Sequence, residues 1–472
     1  MAYISSGAPG VFVKEIDLTG IIPAVATTEG ALAGNFVWGP MYERVLIESE
    51  AELLDTFGKP NDDNYADWFT AANFLAYGNK LYVVRVGDED NANTVLRATN
   101  ATVANSQGFL VKNDDHYEAN FADGSLQTTF GTGPWIAKYA GDLGNSIKIS
   151  ICPSADAYQS TLTGTVTVTS NSNIVTGVGT DFTSEVVVGD LLYVNNEVHK
   201  VAAIANTTAL TTESRFVTSG TGLTAVRRWE YYVEVDTAPG TSDFVANVGG
   251  TNDEMHIVVI DKDGRWTNQK GQILEVYQNV SKSRDGKYND GDTAYYKEVV
   301  NQRSRYLRWA GHDASISGLG QAASGTSFGT PALPISYEMM GGKNGATPGS
   351  DEKIKGYDMF ASPEAIDISF VLGSDATQTI AVHIINNIVE KRKDCVAFFS
   401  PPRAYVVNNS GREAQDIVTY RNMLPSTSYA ALDGNWKYQY DRYNDVYRFV
   451  PMNGDVAGIN VRTDEERDPW WA

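Results

Sequence analysis

Between residues 161 and 226 the chain turns into a Thr/Val-rich run, "GTVTVTSNSNIVTGVGTDFTSEVVVGDLLYVNNEVHKVAAIANTTALTTESRF", with almost no helical periodicity. Short strands recur between turns: "GTVTVT", "NSNIVTG", "GDLLYVNNEVHKVAAI" and "TALTT". The Asn195-Asn196 pair between "LLYV" and "EVHKV" is a hairpin signal. Such a run reads as a small all-β barrel or sandwich. Mixed α/β texture precedes it and resumes after it, so the all-β unit must be nested inside another domain. The expected fold class is therefore α+β multidomain: an α/β body with nested insertions, a β-rich middle domain and a small all-β outer barrel or sandwich.

Upstream, "GALAGNFVWGP" reads as a buried strand, "ESEAELLDTFG" as a short helix ended by Gly58, and "KLYVVRVGD" as another strand. Between the last two, "NDDNYADWFTAANFLAYGN" predicts a helix capped within Asn61–Asn64, with Trp68, Ala72 and Leu75 on one face and Gly78 at its end. Downstream, "AIDISFVLGS", "ATQTIAVHIINNIVEKRKD" and "CVAFFSPP" form a βαβ unit, with Ile380, Ile384, Ile385, Ile388 and Val389 as the buried stripe of its helix. "SGREAQDIVTYRNML" starts a second helix, and "NWKYQYDRYNDVYRFVP" alternates like a hairpin turning near Asn444-Asp445. In the middle region, "SIKISIC" and "DEMHIVVID" read as strands, as does "WEYYVEVDT". "KGQILEVYQNVS" looks short and mixed, and "DTAYYKEVVNQRSRYLRW" carries weak helical spacing from Tyr295 through Val299 or Val300 to Leu307. Residues 313–350 are Gly/Ser/Ala-rich and loop-like.

The net charge of −21 over 472 residues argues against a general nucleic-acid binder or a protein docking on anionic lipid. No apolar run reaches membrane-spanning length, so no direct membrane insertion is expected. The first residues lack the basic and apolar regions of a secretion signal, which predicts synthesis and folding in a cytoplasm. Cys152 and Cys395 stand far apart in apolar runs and read as buried thiols.

Catalytic signals are thin. Gly325-Thr326-Ser327-Phe328-Gly329 matches a hydrolase elbow, but its flanks supply neither the strand nor the helix that the motif needs. His116, His199, His256, His312 and His383 never stand at metal-ligand spacing. "DKDGRW" lacks the ligand pattern of a calcium loop, and "GGKNGATPG" lacks the order of a phosphate cradle. The expectation is no enzyme, no cofactor and no metal. The aromatic run 436–449 fits a strand face better than a sugar or base platform.

As a set, several stretches resemble the tail sheath proteins of contractile-tailed, T-even-like bacteriophages. They include "SSGAPGVFVKEIDLT", "GNFVWGPMYERVLIESEAELLDTFGKPNDDNYADWFTAANFLAYGNKLYVVRV", "WIAKYAGDLGNSIKISIC", "DEMHIVVIDKDGRW", "GGKNG" and "SYAALDGNWKYQYDRYNDVYRFVPMNGDVAGINVRTDEERDPWW". They cover most of the chain outside 161–226, a segment that matches no family part. The resemblance implies a virion tail component assembled in the bacterial cytoplasm. It implies stacking as hexameric rings around the tail tube, and contraction that drives the tube through the host envelope for genome ejection. Its partners would be further copies of itself, the tail tube protein, and the baseplate and tail terminator proteins.

The resemblance also implies a domain plan: an arm 1–23, a body 24–87 plus 352–472, a middle insertion 88–160 plus 227–351, and the nested module 161–226. The arm strand, Val11, Phe12, Val13, Lys14, Glu15, Ile16, Asp17 and Leu18, would join the sheet of a neighbouring subunit. In the family the "RDPWW" segment is internal, which places Pro469, Trp470 and Trp471 at the body's edge toward a further C-terminal domain. The expectation is a chain shortened there, able to fold but not to form a contractile sleeve. The alternative reading is a glycan-binding or glycan-cleaving protein that uses the β-module and the aromatics of 436–449; a passive tube or baseplate component is a third.

Overall fold

The computed structural model describes residues 28–89, 92–96, 110–124, 126–127 and 133–467. The architecture is mixed α/β with several separate sheets. The first is six-stranded, in the order Arg44–Ile47, Leu81–Val86, Gly30–Asn35, Phe370–Leu372, Val396–Phe399, Ala430–Leu432. Arg44–Ile47 is antiparallel to its neighbour and the rest are parallel. Parallel strands are covered on both faces, and Gly30–Asn35 accordingly runs "GALAGN" with its first five residues buried. Its alternate residues feed two cores. Leu32 joins Trp68, Phe74 and Val83 on one side; Ala31 and Ala33 join Tyr357, Ile380 and Val84 on the other.

Local chemistry fixes the helices around this sheet. Helix Glu50–Phe57 starts at Ser49, whose side chain accepts from Glu52 N, while the Glu52 carboxylate accepts from Glu48 N. It stops at Gly58 with φ 78°. Helix Tyr65–Leu75 lies so close to the sheet that a Cβ on Gly34 would meet the Asp67 side chain at 2.8 Å. Its outer side is covered by a helix that the sequence did not announce, Asn453–Glu466. Gly454 and Gly458 permit the crossing: a Cβ at Gly454 would strike the Thr70 carbonyl, and one at Gly458 would lie 2.7 Å from Tyr77. The Ile380–Val389 stripe is buried as expected, and its helix widens into a π turn over Ile384–Val389.

The chain between Leu81–Val86 and Phe370–Leu372 builds two four-stranded sheets. One is ordered Gln272–Ser281, Glu254–Asp261, Ile147–Cys152, Ile335–Glu338; the other is ordered Leu307–Trp309, Trp135–Ala140, Ala92–Leu96, Lys343–Asn344. Their shared core includes Trp135, Ile149, Ile257, Tyr296, Val299 and Leu307. A further eight strands, from Gln159–Thr161 to Ala225–Arg228, pair antiparallel throughout around a core of Val166, Val175, Phe182, Leu192, Val201, Leu210 and Phe216. Its hairpin turn at Asn195 (φ 52°) and Asn196 (φ 63°) has the two left-handed residues of a type I′ turn.

Four expectations fail, the first being a loop throughout 313–350, where Ile335–Glu338 is a strand paired with Ile147–Cys152. "WEYYVEVDT" is no strand: Trp229 and Tyr231 are buried, Trp229 Nε1 donates to Ser150 Oγ, and a 3₁₀ turn spans Tyr232–Glu234. "QILEVYQNVS" is a full ten-residue strand, Gln272–Ser281. Two register shifts against Glu254–Asp261 break the alternation that would have revealed it. The helix Tyr296–Arg303 stops well short of Leu307. Ser304 Oγ accepts from the backbone N–H of Tyr306 and of Leu307, turning the chain into the strand Leu307–Trp309.

Candidate assembly surfaces

The arm residues Val11–Leu18, and Pro469, Trp470 and Trp471, lie outside the described residues. What the structure places are the surfaces around the six-stranded sheet and the joint between that sheet and strand Trp135–Ala140.

At the carboxyl end of the body sheet stands the hairpin Trp436–Asp441 with Val446–Pro451. Its inner side is anchored through Asp441, a fully buried carboxylate that accepts from Tyr443 N, Asn444 Nδ2 and Arg448 Nε. Asn444 Nδ2 also donates to the Pro60 carbonyl, and Tyr443 OH to Glu50, which tie the turn to the first helices. Period two then puts Trp436, Tyr438, Tyr440, Tyr447 and Phe449 on the other side. Trp436 is buried and donates to the Pro401 carbonyl. The tyrosines remain exposed, and Tyr438 stacks on Tyr447 at 5.1 Å.

Among the described residues Ala430–Leu432 has a strand neighbour on one side only, so it forms a parallel edge of the six-stranded sheet. Beside it, Ser400 Oγ donates to Asp433, whose carboxyl burial pushes up to about 6. At the opposite, amino end of the sheet, Arg392 donates to the carbonyls of Phe360, Ser362 and Ile366, and bridges to Asp394. The loop that leads into Phe370–Leu372 is thereby fixed in shape.

The six-stranded sheet is joined to strand Trp135–Ala140 through Arg85. Fully enclosed, its guanidinium donates to the carbonyls of Phe36, Gly39 and Ala140. Burial pushes its pKa down to about 9. Trp38 meets Tyr139 and Trp266 edge-on beside it, and Trp266 meets Tyr306. A cleft of about 460 Å³ opens next to these rings, where Lys59 Nζ donates to Asn268 at 2.6 Å. Within the body, Lys353 sits between Asp67 (3.2 Å) and Asp375 (2.6 Å). Burial opposes its charge, but the two carboxylates together hold the ammonium pKa above its usual value.

The chemical motifs resolve into structural roles. Ser327 bridges to Thr251, with Thr251 Oγ1 donating to Ser327 Oγ. His199 contacts Ser214 and Glu197, His312 contacts Tyr296 OH, and His383 contacts Asp358. His256 lies in the core between the Thr237 carbonyl and Asn279 N, and burial lowers its pKa. Asp261 of "DKDG" is buried and accepts from Ser146 Oγ and from the backbone N–H of Arg265, Trp266 and Thr267. Those hydrogen bonds, following burial as the opposing influence, hold its pKa below the usual carboxylate value. Its oxygens organise a turn. Among the described residues no three His, Cys, Asp or Glu side chains are placed to hold a metal, and no helix is long and apolar enough to cross a membrane.

Residues 30–86 match the family model described as the N-terminal region of tail sheath protein Gp18 domain III. The tail sheath protein of Vibrio phage KVP40 is 28% identical over 98% of this chain and 74% of its own length. That of Enterobacteria phage T4 is 27% identical over 98% of this chain and 73% of its own. The solved sheath tail protein of Desulfitobacterium hafniense aligns over 97% of this chain at 9% identity and a TM-score of 0.40, too low to carry an argument, and the chain spans 63% of that structure's length. Over 98% of its length this chain is similar to the tail sheath proteins of these two phages.

Proposed function

We propose that this chain is a structural subunit of a contractile phage tail sheath. Copies polymerise as stacked hexameric rings around the tail tube, and the sleeve contracts to drive the tube through the host envelope. The observation that carries this reading is the similarity to tail sheath proteins over 98% of the chain. The work comes from subunits rearranging into more favourable contacts, with no enzymatic step. The proposed partners are further copies of the chain, the tube protein, and the baseplate and terminator proteins, in a tail assembled in the host cytoplasm.

In this reading 24–87 plus 352–472 is the body, 88–160 plus 227–351 the middle domain, and 161–226 the nested outer module. The largely distinct hydrophobic cores of these regions support that division, with Trp38 of the body reaching into the core of the middle domain. Residues Val11–Leu18 add a strand to a neighbour, where roughly 6–8 backbone hydrogen bonds at ~1 kcal/mol each give a flexible but firm link. Pro469, Trp470 and Trp471 belong to the body's edge. The glycan-binding alternative has the exposed Tyr438, Tyr440 and Tyr447 in its favour. The Tyr438 and Tyr447 rings stack at an interplanar angle of 17°, covering ring faces that a sugar would need, which supports the sheath reading over it.

A phage unable to make this chain tests the proposal by electron microscopy. The expected tails are bare tubes without an outer sleeve. Tails with a complete, contractile sleeve would overturn it.

A further inference from the structure

The two ends of the body sheet present opposite chemistry. At the carboxyl end, Tyr438 is 62% exposed, Tyr447 60% and Tyr440 46%. Together they offer on the order of 300 Å² of aromatic surface. The rings are ordered by their strands and by stacking on one another, so docking costs them little conformational freedom. Arg403 borders this ladder, exposed, with its guanidinium carbon 5.8 Å from the Phe449 ring centre and no ion pair among the described residues. No carboxylate sits on the ladder itself, and Asp445 at the turn is taken by the Tyr440 hydroxyl at 2.6 Å.

At the amino end, residues 362–367 read "SPEAID". Glu364 and Asp367 are exposed and have no ion pair among the described residues. The backbone beneath them is held by Arg392, which donates to the Ser362 carbonyl at 3.2 Å and the Ile366 carbonyl at 2.9 Å. This acidic loop is therefore shaped before any partner arrives.

We infer that these surfaces meet between copies: the aromatic ladder and Arg403 of one chain dock the Glu364–Asp367 loop of a second copy. The inference rests on the sheath reading for its setting and on the two surfaces for its content. Copies carrying a net charge of −21 repel one another broadly. A contact between them needs an unneutralised cation that faces a carboxylate, and Arg403 with Glu364 and Asp367 supplies it. The two surfaces lie at opposite ends of one parallel sheet, so the contact is head-to-tail, the kind that continues into rings or helical arrays. The ladder is smaller than the roughly 800 Å² per partner of a stable isolated complex, so one contact is weak and repetition makes it hold.

The test uses the full chain and introduced cysteines, since Cys152 and Cys395 are both buried. Chains carrying Tyr438→Cys and chains carrying Glu364→Cys are mixed at high concentration and oxidised. The mixed disulfide dimer is expected to form about tenfold faster than the dimer of either variant alone, because docking raises the local thiol concentration. Adding Arg403→Glu to the first chain is expected to remove that advantage, and Asp367→Lys in the second to restore it. Self-linking of the Tyr438→Cys chain as fast as mixed linking would overturn the head-to-tail contact. So would mixed linking no faster than linking through an exposed control, Thr176→Cys. Either failure leaves the sheath reading intact, because that reading is judged on tails lacking the chain.

Discussion

Arg85 Nη2 donates to the carbonyl of Ala140 at 2.9 Å, joining strand Leu81–Val86 to strand Trp135–Ala140. Two more bonds from the same guanidinium reach Phe36 at 2.9 Å and Gly39 at 2.8 Å. One buried cation thus closes three carbonyls from two parts of the chain. Removing it leaves those acceptors without water or a donor. Arg85→Met is expected to cost about 3–5 kcal/mol, read as a lower urea midpoint of the full chain. A loss below about 1 kcal/mol would mean that the aromatic packing of Trp38 and Trp266 holds the joint without it.

The β-module should respond to pH through Asp190. Its carboxyl is nearly fully enclosed, and burial raises its pKa to about 7, with Arg227 at 3.9 Å opposing the shift. The unfolded carboxyl titrates near 3.9. Between those values the folded chain binds the extra proton, so stability falls as pH rises toward 7 and is gained as pH drops below it. Thermal melting at pH 5 and pH 8 should show wild type gaining more on acidification than Asp190→Asn, by a few kcal/mol at most. Equal pH responses in the two chains would refute the assignment.

Gly454 is expected to tolerate no side chain. A Cβ there strikes the Thr70 carbonyl, the backbone of the helix that covers one face of the body sheet. Gly454→Val should separate Asn453–Glu466 from Tyr65–Leu75 at a cost of about 3 kcal/mol or more. Amide exchange within Tyr65–Leu75 should accelerate accordingly; unchanged protection there would contradict the crossing.

Much of this architecture is legible in the chain, and the exceptions have physical causes. Ser49, Gly58 and the Asn195-Asn196 pair announce their turns because side chain and φ act locally. The Ile380–Val389 stripe announces its helix because one face is buried and the other wet. Helix Asn453–Glu466 is hidden because the residues at its crossing are glycines, selected for closeness rather than apolarity. Gln272–Ser281 is hidden because bulges break its period. Among the candidate surfaces, the alternation of 436–449 marks the hairpin but not which of its sides is wet. That depends on Tyr443 and Asn444 tying the turn to Glu50 and Pro60 beside the first helices, with Asp441 holding the turn together. The Arg85 joint has no sequence signal at all, since its three acceptors are backbone carbonyls.

Turn chemistry offers a gain rather than a loss. Asn196 holds φ 63° at the second position of a type I′ turn, where glycine is preferred. Asn196→Gly is expected to stabilise the chain by about 0.5 kcal/mol, seen as a slightly higher melting temperature. A destabilisation would indicate that the Tyr193 hydroxyl bond to Asn196, at 3.0 Å, matters more than the backbone conformation.

The most direct test of the sheath assignment is helical reconstruction, by electron cryomicroscopy, of tails that contain this chain, before and after contraction. The account predicts the body sheet repeating in stacked rings around the tube in both states, with the body itself unchanged and the contacts between copies rearranged. Density for the chain confined to the tube wall or to the baseplate, with no repeating outer sleeve, would contradict it.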